Sequence, residues 1–121
     1  MSSHHFVGNG FLSARLESAA RNPEHLLGLV AGLVNDSGLQ VVANQSARFD
    51  NDGLTLVWIL AESHLVIHVW PTEGFASIDL HVCDYQGSNK DSARRLAASL
   101  AALCFVAGSE GWHEIHLDDP K

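Results

Sequence analysis

The sequence is short of positive charge. Seven Lys and Arg stand against 14 Asp and Glu, a formal net charge of -7, and Arg94-Arg95 is the only adjacent basic pair. Such a surface repels phosphate backbones, so nucleic acid is not an expected partner, whereas a cationic small molecule is. Cysteine is scarce too. Cys83 and Cys104 are too few for a disulfide framework, which fits a reducing compartment and leaves each thiol to be read alone. With three prolines and no Gly/Ser-rich linker, nothing marks an internal boundary, and residues 1–121 read as one domain. Long apolar runs are missing as well. The longest, Leu96 to Gly108, is Ala-rich and falls short of the roughly 18 to 20 residues a bilayer span requires. The opening Met-Ser-Ser-His-His has neither the basic segment nor the apolar stretch of a signal peptide, so no membrane association and a cytoplasmic location are expected.

What is present describes a globular chain, 46% hydrophobic and 17% charged. A short first strand is read at Phe11–Leu16. Asn22 caps and Pro23 opens a helix to Asn35, with Leu26, Leu27, Val30, Leu33 and Val34 on one stripe and Asp36-Ser37-Gly38 as its stop. Leu39–Phe49 reads as a strand, and Asp50-Asn51-Asp52-Gly53 as a turn. Strands follow at Leu54–Leu60, Leu65–Trp70 (ended by Pro71) and Phe75–Cys83. A second helix is predicted over Ser88–Val106 on a stripe of Leu96, Leu100, Leu103 and Val106, and Trp112–Leu117 closes the chain as a strand. Consecutive strands with short turns predict a mostly antiparallel sheet covered on one face by two helices, a two-layer α+β sandwich. The uncovered face calls for a partner, and a homodimer or higher homo-oligomer is expected.

Chemistry concentrates between Ala61 and Cys83. On the last strand of that stretch Phe75, Ser77, Asp79, His81 and Cys83 share one face, and Ala76, Ile78, Leu80 and Val82 share the other. His64 and His68 have the i, i+4 spacing of a helical zinc pair, but the branched residues between them favour a strand. Four strand residues span about 13 Å, too far for two bonds of about 2 Å to one ion, so no metal is expected. Ser63 beside His64 lacks the Gly-x-Ser-x-Gly elbow of a hydrolase, and strand alternation points the two side chains apart. Cys104, among Leu103, Phe105 and Val106, reads as a small core residue.

The run Glu62-Ser63-His64-Leu65-Val66-Ile67-His68-Val69-Trp70-Pro71, then Gly74-Phe75-Ala76-Ser77-Ile78-Asp79-Leu80 and Cys83, resembles the signature of the prokaryotic S-adenosylmethionine decarboxylase proenzymes. That signature is E-S-H-x-x-I-H-T-W-P-E-x-G-Y-x-x-x-D followed by a cysteine. Phe49, the Asp-Gly turn and Thr55 also match. The resemblance implies self-cleavage between Glu62 and Ser63 into a β chain (1–62) and an α chain (63–121). Ser63 would attack the Glu62 carbonyl, His68 would remove the Ser63 α-proton, and Thr55, where the family usually has serine, would help stabilise the oxyanion. The cofactor implied is a pyruvoyl group derived from Ser63, which forms a Schiff base with the substrate amine and takes up the electrons left by carbon dioxide. Cys83 would reprotonate the substrate α-carbon.

By the same resemblance, substrate contacts fall on Phe49, Trp70 and Glu73. The departures lie in the substrate-binding parts. Thr72 stands where the family has a ribose-holding Glu after Trp-Pro, with Glu73 displaced by one. Setting Asn22-Pro23 against the end of the family's first-strand pattern puts Ser13 at its histidine, Glu17 at its acidic residue and Ala19-Ala20-Arg21 at its Y-G-C. The activity implied is S-adenosylmethionine decarboxylation in polyamine synthesis. The alternative is L-ornithine or L-arginine decarboxylation on the same scaffold, and after it a non-catalytic regulatory relative.

Overall fold

The apolar and polar residues that alternate along these strands turn one side of each toward a helical layer. The computed structural model describes residues 1–120. It runs β1 (Ser3–Phe11), α1 (Ala14–Ala19), α2 (Pro23–Asp36), β2 (Val41–Arg48), β3 (Leu54–Leu60), β4 (Ser63–Trp70), β5 (Phe75–Cys83), α3 (Lys90–Cys104) and β6 (Gly111–Leu117). The strands form one sheet in the order β2-β3-β4-β5-β1-β6, with all five pairings antiparallel. The helices cover one face, which gives the two-layer α+β sandwich that the pattern predicts. From α2 onward every element lies within two residues of its predicted range.

Two elements at the start of the chain differ. The first strand is Ser3–Phe11, while residues 14–19 form a third helix rather than the end of a strand. Gly8 and Gly10 hide β1 from a propensity reading, because glycine weakens a strand. In the sheet Gly8 has a purpose: the Trp112 indole of β6 lies over it, and a Cβ there would sit 2.8 Å from that ring. α1 is a single capped turn. The Ser13 hydroxyl accepts the Leu16 N–H at 3.0 Å and donates to the Leu103 carbonyl of α3 at 2.6 Å, so the cap also fastens α1 to the helical layer.

The core lies between sheet and helices. Leu54, Leu56, Trp58 and Leu60 of β3, Leu65, Ile67 and Val69 of β4, and Ala76, Ile78, Leu80 and Val82 of β5 are all buried. They meet Leu26, Leu27, Val30 and Val34 of α2 and Ala93, Leu96, Leu100 and Leu103 of α3. Each large aliphatic side chain so buried contributes about 1.5–3 kcal/mol. The buried Trp58 indole N–H donates to the Leu27 carbonyl at 3.1 Å, joining β3 to α2. Val106 leaves the predicted stripe, because α3 ends at Cys104 and Val106 is exposed. Cys104 is fully buried, and the loss of hydration pushes its thiol up to about 12, so it packs as an apolar group.

Candidate active site

The same alternation that fills the core puts the chemistry on the face without helices. Ser77, Asp79, His81 and Cys83 of β5 stand there beside His64, His68 and Trp70 of β4, Thr55 of β3 and His5 of β1. Cross-strand pairing sorts these residues into two clusters. One row runs Ile59–His64–His81–His5, and another runs Thr55–His68–Ser77.

The first cluster surrounds Ser63. As the first residue of β4, Ser63 should turn toward the core with Leu65 and Ile67. Its φ of +154° instead brings its hydroxyl to the open face, a backbone conformation that side-chain-bearing residues adopt at a cost. Ser63 Oγ then lies 3.3 Å from His64 Nδ1 and 3.3 Å from His81 Nδ1. This corrects the expectation that strand alternation separates Ser63 from His64. The preceding carbonyl is engaged as well: the Cys83 N–H donates to the Glu62 oxygen at 2.7 Å. The Glu62 side chain accepts the Gln40 N–H at 3.3 Å, anchoring the turn before the serine. Cys83 itself is a half-buried free thiol.

Beyond His81 the row continues to His5, whose ring centroid is 5.1 Å from that of His81, and His64 lies 5.3 Å away on the other side. The His5 Nε2–H donates to Asp79 Oδ1 at 2.6 Å. Desolvation, then the charges of His5 and His64, hold the His81 pKa below the ordinary histidine value, against the opposing pull of Asp79. His81 is therefore a neutral acceptor at neutral pH.

The second cluster is built on His68. Its Nδ1 shares a 2.9 Å hydrogen bond with Thr55 Oγ1 across the β3–β4 ladder, so two of the four residues named for processing are in contact. The His68 ring stacks on Trp70 at 5.4 Å, and Trp70 meets Phe75 at 4.7 Å. Phe49 is exposed just past β2, where its N–H donates to the Gly53 carbonyl at 2.8 Å. Glu73 is exposed in the turn after β4, beside a shallow depression of about 310 Å³ that Asn9, Phe11, Phe75 and Ser109 also line.

The clusters sit at opposite ends of β4. Ser63 and His68 are five residues apart on one strand, roughly 16 Å at 3.3 Å per residue. His68 of the same chain therefore cannot reach Ser63. Ser13 and Glu17, matched earlier to the family's first strand, belong to the cap and body of α1. The strand itself offers His5, followed on the open face by Val7, Asn9 and Phe11 and by no carboxylate. His5 escaped sequence reasoning because β1 did. His81 and Asp79 were visible in the alternating row of residues 75–83, but their neighbours were not. The Cys83 N–H left no signal.

Fold and site together describe a two-layer α+β domain in which the Ser63 hydroxyl and the carbonyl before it are both engaged by hydrogen-bonding groups. A family model described as S-adenosylmethionine decarboxylase matches residues 12–106, and the chain belongs to that family. It is 29% identical over 114 residues to the S-adenosylmethionine decarboxylase proenzyme of Aeropyrum pernix, covering 94% of this chain and 84% of that one. The corresponding proenzyme of Symbiobacterium thermophilum is 48% identical over 48 residues, 40% of this chain and about a third (36%) of that protein. The arginine decarboxylase proenzyme of Pyrobaculum arsenaticum is 25% identical over 124 residues, covering 83% of this chain and 93% of that one. The crystal structure of the adenosylmethionine decarboxylase from Aquifex aeolicus superposes with a TM-score of 0.77 at 20% identity, over 98% of this chain and 92% of that one, a likeness of fold.

Proposed function

We propose that the chain is a self-processing, pyruvoyl-dependent decarboxylase acting on S-adenosylmethionine. One observation carries the reading: at the Glu62–Ser63 bond a serine hydroxyl lies between two imidazole nitrogens while the preceding carbonyl accepts the Cys83 N–H. These are the nucleophile, the proton acceptor and the oxyanion donor that an attack of Ser63 Oγ on the Glu62 carbonyl carbon requires. That attack turns the amide into an ester. Loss of the Ser63 α-proton to a His68 imidazole expels the Glu62 carboxylate, and hydrolysis of the resulting enamine releases ammonia and leaves a pyruvoyl group at residue 63. The products are chains 1–62 and 63–121. Ser63 fits this conversion, since its hydroxyl is oriented and its backbone strained before the cut.

Once formed, the pyruvoyl group supplies the electron sink for the charge left by departing carbon dioxide. The Cys83 thiol, on the same face and next to the cut, returns a proton to the substrate α-carbon. Trp70, with Phe75 behind it, Phe49 and Glu73 form the substrate-binding end.

Because His68 and Ser63 of one chain are too far apart, we infer that a second copy completes each site. Its Thr55–His68 pair approaches Ser63, and its Trp70 end faces Cys83. The open face supports this, since it exposes Phe11, Ile59, Phe75, Ile115 and Leu117, large apolar side chains that a homodimer or higher homo-oligomer would cover. Mixing two inactive variants is the test. Ser63→Ala and His68→Ala chains, co-expressed, should restore cleavage of the His68→Ala chain, and no cleavage would place the pair within one chain.

A second substrate reading has its own support. Thr72 stands at the position where the resemblance places a ribose ligand, and a substrate without ribose, such as L-arginine or L-ornithine, needs none. Carbon dioxide release from the three substrates separates these readings, S-adenosylmethionine being expected to lead. Intact mass spectrometry should show two chains, the C-terminal one without a free amine at residue 63. An active protein that remains one uncut chain would overturn the proposal.

A further inference from the structure

We propose that His81 is the general base that takes the Ser63 hydroxyl proton and so starts the cut at Glu62–Ser63; this rests on the self-cleavage reading above. A hydroxyl has one proton and donates to one acceptor, yet two imidazole nitrogens lie 3.3 Å from Ser63 Oγ. One of them therefore receives the proton and the other donates an N–H to the same oxygen.

The surroundings choose between them. His81 has an imidazole on each side, His64 at 5.3 Å and His5 at 5.1 Å, and the His5 Nε2–H is committed to Asp79. The groups facing it are His5 of β1, Ser63 and His64 of β4, and Asp79 and Cys83 of its own strand. Positive charge on His81 is disfavoured by burial and by both neighbours, so of the two rings His81 is the one held neutral, and with His64 as the N–H donor its Nδ1 accepts the hydroxyl proton. β5 thus presents a proton acceptor to the Ser63 hydroxyl and, two residues on, the Cys83 N–H to the Glu62 oxygen.

The step balances without a co-reactant. The Oγ proton moves to His81 Nδ1, and a C–O bond forms between Ser63 Oγ and the Glu62 carbonyl carbon. The carbonyl oxygen carries the charge against the Cys83 N–H. Collapse breaks the Glu62–Ser63 C–N bond, and His81 returns its proton to the freed nitrogen. An imidazole that holds a proton weakly gives it back readily, so the same feature serves both halves of the isomerisation.

The test follows cleavage of the full chain, made by cell-free synthesis, on denaturing gels and by intact mass. His81→Gln, which keeps a hydrogen-bonding group but takes no proton, should cut about 10²–10⁴-fold more slowly than wild type. It should accumulate no ester that hydroxylamine opens. His81→Phe, which fills the site with a ring, should be equally slow and keeps the test if the amide variant does not fold. Circular dichroism and thermal midpoints report folding. The wild-type cleavage rate should fall as pH drops below the ordinary histidine value, where the lowered His81 pKa lies, and the residual rate of His81→Gln should not follow it. If wild type cuts and His81→Gln cuts equally fast, or stalls at a hydroxylamine-sensitive ester, or if the loss is confined to His64→Gln, His81 is not this base and self-cleavage stands. A wild-type chain that never cuts removes the parent reading as well.

Discussion

The two ends of the open face use histidine differently. Around Ser63, three imidazoles stand in one row, close enough to disfavour charge on the middle one, and two of them reach the same hydroxyl. Around His68, a single imidazole is held by one hydroxyl and one indole. A crowded row suits a proton that is taken and returned within one step. A fixed, stacked ring suits a group that must arrive at a set position against another molecule. The difference teaches that residue type and strand position alone do not assign a role; cross-strand neighbours do.

Removing the centre of the first end should have the largest effect. Ser63→Ala should give one uncut chain with no decarboxylase activity. Its thermal midpoint should stay close to that of wild type, because Ser63 is on the open face and outside the core. A large drop in that midpoint would mean that Ser63 is structural.

Within the same end, variants of Cys83 should separate processing from turnover. Cys83→Ala and Cys83→Ser both keep the backbone N–H on the Glu62 carbonyl, so both should still cut. Turnover should fall roughly 10²–10⁴-fold for loss of a positioned acid. Misplaced protonation should also convert residue 63 to alanine, visible as a mass change during turnover. Full turnover with an unchanged terminus in Cys83→Ala would assign the proton to another residue.

At the other end the expected change is smaller. Thr55→Ala removes one hydrogen bond from His68, worth about 0.5–1.5 kcal/mol, so cleavage should slow by a few-fold to about tenfold. Thr55→Ser should restore it. Equal rates for all three would show that the Thr55–His68 contact does not orient His68.

Outside both ends, Glu114 of β6 should matter least. The Arg94 guanidinium, at 2.8 Å, and the His116 ring hold its carboxyl below the usual carboxylate range. Its folded pKa is depressed, so its contribution is present above the ordinary Glu pKa and is lost as pH falls toward the lowered value. Urea midpoints of wild type and Glu114→Gln should differ slightly at neutral pH and converge in acid, with cleavage unaffected.

Much of this was legible in the sequence, for physical reasons that can be named. β4 and β5 alternate strictly because one side of each packs on helices, so the open-face row from Phe75 to Cys83 could be read directly, as could the separation of His64 from His68 along a strand. α2 announced itself by Asn22, Pro23 and its leucine stripe. β1 did not, since Gly8 is there for the Trp112 ring of a strand about a hundred residues away, and a non-local reason leaves no local pattern. The positive φ at Ser63 was equally hidden, because serine carries no mark of it, and with it went the contact between Ser63 and two histidines. The distance from Ser63 to His68 needed only strand arithmetic, yet its meaning emerged once both were known to lie on one uninterrupted strand.

The place of β1 in the sheet has a consequence for the proposed cut. Chain 1–62 would hold β1, β2 and β3, and chain 63–121 would hold β4, β5 and β6. In the order β2-β3-β4-β5-β1-β6, β1 is wedged between two strands of the other piece, so three of the five ladders (β3–β4, β5–β1 and β1–β6) would cross between the pieces. The nicked protein would be laced together rather than split. Its halves should travel as one species through native chromatography and separate only in denaturant. Reassembly would then be bimolecular and concentration-dependent, so a chain that folds alone before cleavage becomes one that regains its structure only by meeting its other half.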